Sequence, residues 1–182
     1  MAIETKVEGK PEQITSLADW LTSSLEPAVS ASGDRFSSAR TILGSEWQGE
    51  TAEAIVSWLA DAVGASDSLS TRITDIATVL TTYASILLSV KTEAECVRSD
   101  ATAGGLVVSG TVVQEPKDTA DTKKAALYSS LSVRMSTANS KLATGQQDLR
   151  SSMTSKDVDR VKNDYQIFSI VAEAVRSAAP PL

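Results

Sequence analysis

Residues 55–101 read IVSWLADAVGASDSLSTRITDIATVLTTYASILLSVKTEAECVRSDA. Ile55, Leu59, Ala62, Ser66, Leu69, Ile73, Ile76, Leu80, Tyr83, Leu87, Val90, Ala94, Val97 and Ala101 follow one another in steps of four and three without a slip. Only Ser66 in that series is plainly polar. A sustained 3.5-residue period is the signature of a long helix packed with coiled-coil geometry. From Glu50 to Ala103 such a helix is about 80 Å long at ~1.5 Å per residue. Few globular enzymes need such a rod.

On the N-terminal side a weaker stripe runs through Ile14, Leu17, Leu21, Leu25, Ala28, Ser32, Phe36, Ala39 and Leu43. Pro27 and Gly33 interrupt it. Proline inside a helix removes a hydrogen bond and clashes with the preceding turn. A kink is expected there, or a fresh start with Pro27 in the first turn. Between the two stripes lies LGSEWQGE, residues 43–50. Ser45 with Gln48 three positions on fits a capping box opening the second helix, which puts Trp47 and Gly49 in its first turn.

On the C-terminal side Gly104-Gly105 ends the long helix, since helix C-termini favour glycine just beyond the last turn. Val107-Val108 and Val112-Val113 then flank Ser109-Gly110, a small β-hairpin signal closed by Pro116. An isolated hairpin is marginal in water, so it should lie against the helices or a partner. A third helix is expected over about 118–150, with Leu127, Leu131, Met135, Ala138, Leu142 and Leu149 on one side and Gly145 weakening its end. A fourth is expected over about 155–178, carrying Val158, Val161, Tyr165, Phe168, Ala172 and Val175. The fold class that follows is all-α: an elongated antiparallel helical bundle built on a long helical hairpin, with a small β-hairpin after the second long helix. Residues 1–103 form the helical hairpin, 104–116 the β-hairpin insertion and 117–182 two further helices, within a single domain.

Composition narrows the function. The 182 residues carry a formal charge of −6, and the sequence pI is near 4.7. Both argue against electrostatic binding of nucleic acid or of an anionic membrane. No uninterrupted apolar run approaches the ~20 residues of a membrane-spanning helix, so no integral membrane segment is expected. The polar start MAIETKVEGKPEQ has no apolar h-region. Cys96 is the only cysteine, which excludes an intramolecular disulfide and suggests a thiol packed near a helix seam. The chain has no histidine. That removes Ser-His-Asp and Cys-His triads, His metal sites and His acid–base catalysis. We expect no enzyme activity, no cofactor and no bound catalytic metal.

The remaining candidate groups are bland. Asp19, Glu26, Asp61, Asp67 and Asp75 sit on solvated helix faces. Glu93 and Glu95 flank Cys96 but lack the His or second Cys of a zinc site. Lys123-Lys124 is too short for a nucleic-acid patch. Trp20 and Trp58 suit half-buried core or interface positions. Trp58 lies beside Leu59 rather than on the main seam and is a candidate partner contact.

A Trp-x-Gly at the turn of a long helical hairpin, here Trp47-Gln48-Gly49 followed by the small residues Ala52 and Ala54, resembles the WXG-type superfamily of type VII secretion substrates. This superfamily includes short ESAT-6-like proteins and longer PPE-like and toxin-leader forms. The resemblance covers about residues 10–103. The added AGGLVVSGTVVQEP and two further helices look like extended actinobacterial members.

The resemblance implies a non-enzymatic secretion substrate, or substrate-leader domain. Such a chain is made in the cytoplasm and secreted or displayed at the cell surface without a signal peptide. It also implies a helical partner, WXG-like or PE-like, or a homodimer, together with the secretion machinery. Trp47 and Gly49 would form half of a composite export signal. On the residues alone, Trp47 also reads as a hydrophobic staple plugging the end of the bundle.

The family's other signal, a Tyr followed at the fourth position by an acidic residue (YxxxD/E), is missing. Tyr83 is followed there by Leu87, Tyr128 by Ser132 and Tyr165 by Ser169. That half of the signal would then reside on a partner or in a longer parent polypeptide. The competing reading is a self-associating cell-envelope or phage structural coiled-coil protein. Homo-oligomerisation favours it, whereas a genetically adjacent helical partner favours secretion.

Overall fold

A computed structural model describes residues 2–118 and 121–154. The fourth helix expected over 155–178 lies outside them. The fold is all-α, with a long helical hairpin and a small antiparallel sheet after the long helix. In order these are β1 (Ile3–Glu4), α1 (Pro11–Trp20), a π turn (Leu21–Leu25), α2 (Glu26–Glu46), α3 (Glu50–Ala103), β2 (Val108–Ser109), β3 (Val112–Val113) and α4 (Thr122–Thr154). Residues 2–15 and 80–150 form one compact unit, and residues 16–79 make up the body of a second. Helix α3 contributes to both.

In the second unit α2 and α3 run antiparallel. Glu26, at the start of α2, accepts a hydrogen bond from the Ser70 hydroxyl, while Gly33, further along α2, faces the earlier Ser66. Leu59, Ala62, Ser66 and Ile73 are buried along the expected seam. Ser66 is buried without penalty because its Oγ donates to the Ala62 carbonyl at 2.9 Å.

Seven of the nine positions of the N-terminal stripe are half-buried, and two are displaced by one residue. Leu17 and Ala28 are exposed, and Ala18, Val29 and Gly33 are buried instead. Between these two places lies the π turn, where the Glu26 N–H donates to the Leu21 carbonyl, five residues back. The wider turn relieves the clash that Pro27, in the first turn of α2, would make with an α-helical turn before it. The chain makes a fresh start at Pro27 after the π turn.

In the first unit Val90, Ala94, Val97 and Ala101 of α3 pack with Leu131, Met135 and Ala138 of α4 and with Ile3, Leu106 and Val113. Successive contacts set the antiparallel register. Leu127 abuts Gly104, Arg134 reaches Glu93 and Asp100, and Gly145 abuts Ile86 and Tyr83. Gly145 was expected to weaken the end of this helix, yet α4 continues to Thr154. The glycine is buried instead, and a Cβ there would stand 2.9 Å from Ile86 Cδ1. Helix α4 begins at Thr122 rather than near 118 because the Asp121 carboxylate accepts from the Lys124 N–H at 3.1 Å and caps it.

The sheet is three-stranded, in the order β1-β3-β2, antiparallel throughout. The β-hairpin turn falls on Gly110-Thr111, with Gly110 at φ +61°, rather than on Ser109-Gly110. The first strand comes from the polar N-terminus. Thr5 fastens it: its N–H and Oγ1 donate to the Thr111 carbonyl at 2.8 and 2.6 Å. Arg98 Nη1 donates to the Thr5 carbonyl at 3.1 Å and to its Oγ1 at 2.9 Å. Cys96, expected near a seam, is exposed, since the seam passes through Ala94 and Val97 on either side of it.

Candidate functional site

The connection between α2 and α3 is three residues long, Trp47-Gln48-Gly49. Ser45 does not open α3 with a capping box. It still lies in the last turn of α2, where its Oγ donates to the Ile42 carbonyl at 2.9 Å. Trp47 is the C-cap of α2, extended at φ −122° and ψ 136°, and its N–H closes the last turn on the Leu43 carbonyl at 3.0 Å. The extended backbone carries the indole off the helix, and the residue stays 48% exposed.

Gly49 stands at φ +114°, and a Cβ added there would meet nothing within 4 Å. Glycine is therefore required by the backbone, not by close approach of another chain segment. Its carbonyl accepts from the Glu53 N–H at 3.1 Å and starts α3. Neither Trp47 nor Gly49 lies within the first turn of α3, where sequence reasoning put them.

Trp58 on α3 is 57% exposed, and Trp20 at the end of α1 is 51% exposed. Leu17 and Ile42 are also exposed. The second unit thus presents all three tryptophans of the chain to solvent, a large apolar commitment for residues that usually bury.

The other candidate groups do not converge on a reaction centre. Asp19, Asp61, Asp67 and Asp75 are exposed, and Asp75 lies 3.9 Å from Arg72 one turn away. Glu26 is occupied by Ser70. Glu93 is held by Arg134 Nε at 2.7 Å, beside Glu95 and Cys96, which face solvent. Lys124 is 3.6 Å from Asp121. Among the described residues no group of three or more His, Cys, Asp or Glu is placed to hold a metal ion.

Helix α3 is long and apolar enough, by length and composition, to cross a membrane. Threonines and serines break the apolar run while leaving the average high, and the core helix of a bundle has the same length and composition. Its buried positions line the cores of the two units.

Arg98, Thr5 and Arg134, which tie separate elements together, carry no signal in the sequence. Nothing local marks them, since each acts on residues at least 34 positions away. Comparison with protein-family models, curated proteins and solved structures finds no match to the chain.

Proposed function

We propose that the chain is a type VII secretion substrate, or the targeting domain of one, acting without catalysis by pairing its helical hairpin with a helical partner. The partner is a WXG- or PE-like protein, or a second copy of the chain. Export from the cytoplasm to the cell surface or beyond would be independent of a signal peptide. One observation carries the reading: Trp47 stands half-exposed in the hairpin turn, two residues ahead of a glycine held at positive φ. A residue at that exposure contributes little to the core, so recognition accounts for a tryptophan there better than packing does. The step from fold to export rests on family resemblance.

Trp47→Ala tests it. The variant should keep its melting profile within the equivalent of about 1 kcal/mol, far from the ~3–5 kcal/mol of a truncated core aromatic. It should nonetheless disappear from the culture supernatant of a secretion-competent host. Normal export of the folded variant would remove the signal and leave Trp47 as packing.

A further inference from the structure

The charge of this chain is not spread evenly. Residues 16–79 hold nine carboxylates against only Arg35, Arg40 and Arg72, an excess of six that equals the net charge of the whole protein. Residues 2–15 and 80–150 hold ten acidic and ten basic groups and are neutral together. Between Arg40 and Arg72 there are five carboxylates and no basic residue. All five, Glu46, Glu50, Glu53, Asp61 and Asp67, are exposed, and none joins an ion pair among the described residues.

Four of these, Glu46, Glu50, Glu53 and Asp61, lie near Trp47 and Trp58 in the chain. Glu46 precedes Trp47, and Glu50 and Glu53 lie in the first turn of α3. Trp58 follows eight residues after Glu50, about 12 Å along the axis at ~1.5 Å per residue. Asp61 is three positions beyond Trp58 and Ala54 four before it, on one face of the helix. Ala54 is too small to cover the indole.

We infer that this end of the hairpin docks a cationic amphipathic helix of a partner protein, its apolar stripe on Trp47 and Trp58 and its lysines or arginines against Glu46, Glu50, Glu53 and Asp61. The inference rests on reading Trp47 as a recognition residue and adds the chemistry of what it recognises. Two physical terms select that occupant. Unpaired carboxylates raise the local concentration of a cationic partner and repel an acidic one. Indole faces also attract lysine and arginine head groups, which an uncharged helix lacks.

The test uses the full chain and a synthetic helix-forming peptide with leucine at every third and fourth position and lysine elsewhere. A twin peptide carries glutamate in place of each lysine. Calorimetry and tryptophan emission should show the lysine peptide binding at least about tenfold more tightly than its twin. That affinity should fall by about tenfold as salt rises from roughly 50 to 500 mM. The triple variant E46Q/E50Q/E53Q should weaken binding about tenfold, with the melting temperature lowered only slightly by the loss of two first-turn charges of α3, whereas D19N/D34N/D67N, removing equal charge elsewhere on the same unit, should change binding less than about twofold.

Equal weakening by the two triples, or equal binding of the two peptides, would overturn the proposal. The two readings fail separately. If Trp47→Ala abolishes export while the triples leave peptide binding intact, the export reading stands and the cationic partner falls. If the first triple alone loses binding while Trp47→Ala is exported normally, the reverse holds.

Discussion

A Cβ built on Gly33 of α2 would stand 3.0 Å from the Cβ of Ser66 on α3. The two helices meet there at a distance that admits a hydrogen on one side only. Gly33→Ala sets two effects against each other. Alanine is worth ~1 kcal/mol over glycine inside a helix, but overpacking costs about 1–3 kcal/mol. The contact should win, giving a net loss of about 1 kcal/mol in urea melts, partly restored by Ser66→Gly. Gly44, in the same helix with nothing within 4 Å of an added Cβ, is the control. Gly44→Ala should raise stability by up to ~1 kcal/mol.

Gly49→Ala should destabilise although no atom obstructs the methyl. At φ +114° an L-residue is strained, at a cost of about 1–3 kcal/mol. Placed inside a helix the same change would be favourable, so the sign of the measured difference reports on the turn geometry directly. A stabilised variant would show that the turn is helical.

Arg134 ties α4 to α3 by two carboxylates, donating to Glu93 at 2.7 Å and to Asp100 at 2.6 Å. All three side chains are more than a third exposed, so solvent screens the pairs. Arg134→Gln should cost only about 0.5–1 kcal/mol at low ionic strength, and less in concentrated salt. A loss of several kcal/mol, or one insensitive to salt, would mean that the pair is sealed from water.

Burial raises the Tyr128 phenol above its ordinary value of ~10, and the nearby Glu115 charge adds to the shift. A raised pKa means that the folded state holds the proton more tightly. Its contribution to stability is complete below the unfolded pKa and is lost as pH rises through the folded one. Ultraviolet titration should show a late phenolate step that Tyr128→Phe removes. The variant should also lose less stability than the parent between neutral pH and the alkaline limb.

Helix α3 was legible because its pattern is redundant. Fourteen seam positions from Ile55 to Ala101 repeat one period, and all are buried or half-buried along Glu50–Ala103. The Trp47 turn was legible in place but not in geometry. Ser45 and Gln48 mimic a capping box, and only the backbone shows that Ser45 bonds backward to Ile42. The N-terminal strand was illegible. Two residues, Ile3 and Glu4, carry no period, and their strand status comes from pairing with Val113 and Val112. The π turn likewise has no local signal beyond the awkward Pro27.

The pairing of Ile3 with Val113 imposes an order in time. Helices α2 and α3 find each other across short sequence separations, whereas β1 must wait while about 110 further residues are synthesised, roughly 6–20 s at ~5–20 residues per second. Throughout that interval Ile3 and Thr5 have no strand to join. The tryptophan-bearing hairpin can therefore be complete, and open to a partner, while the sheet that closes the other unit is still being made.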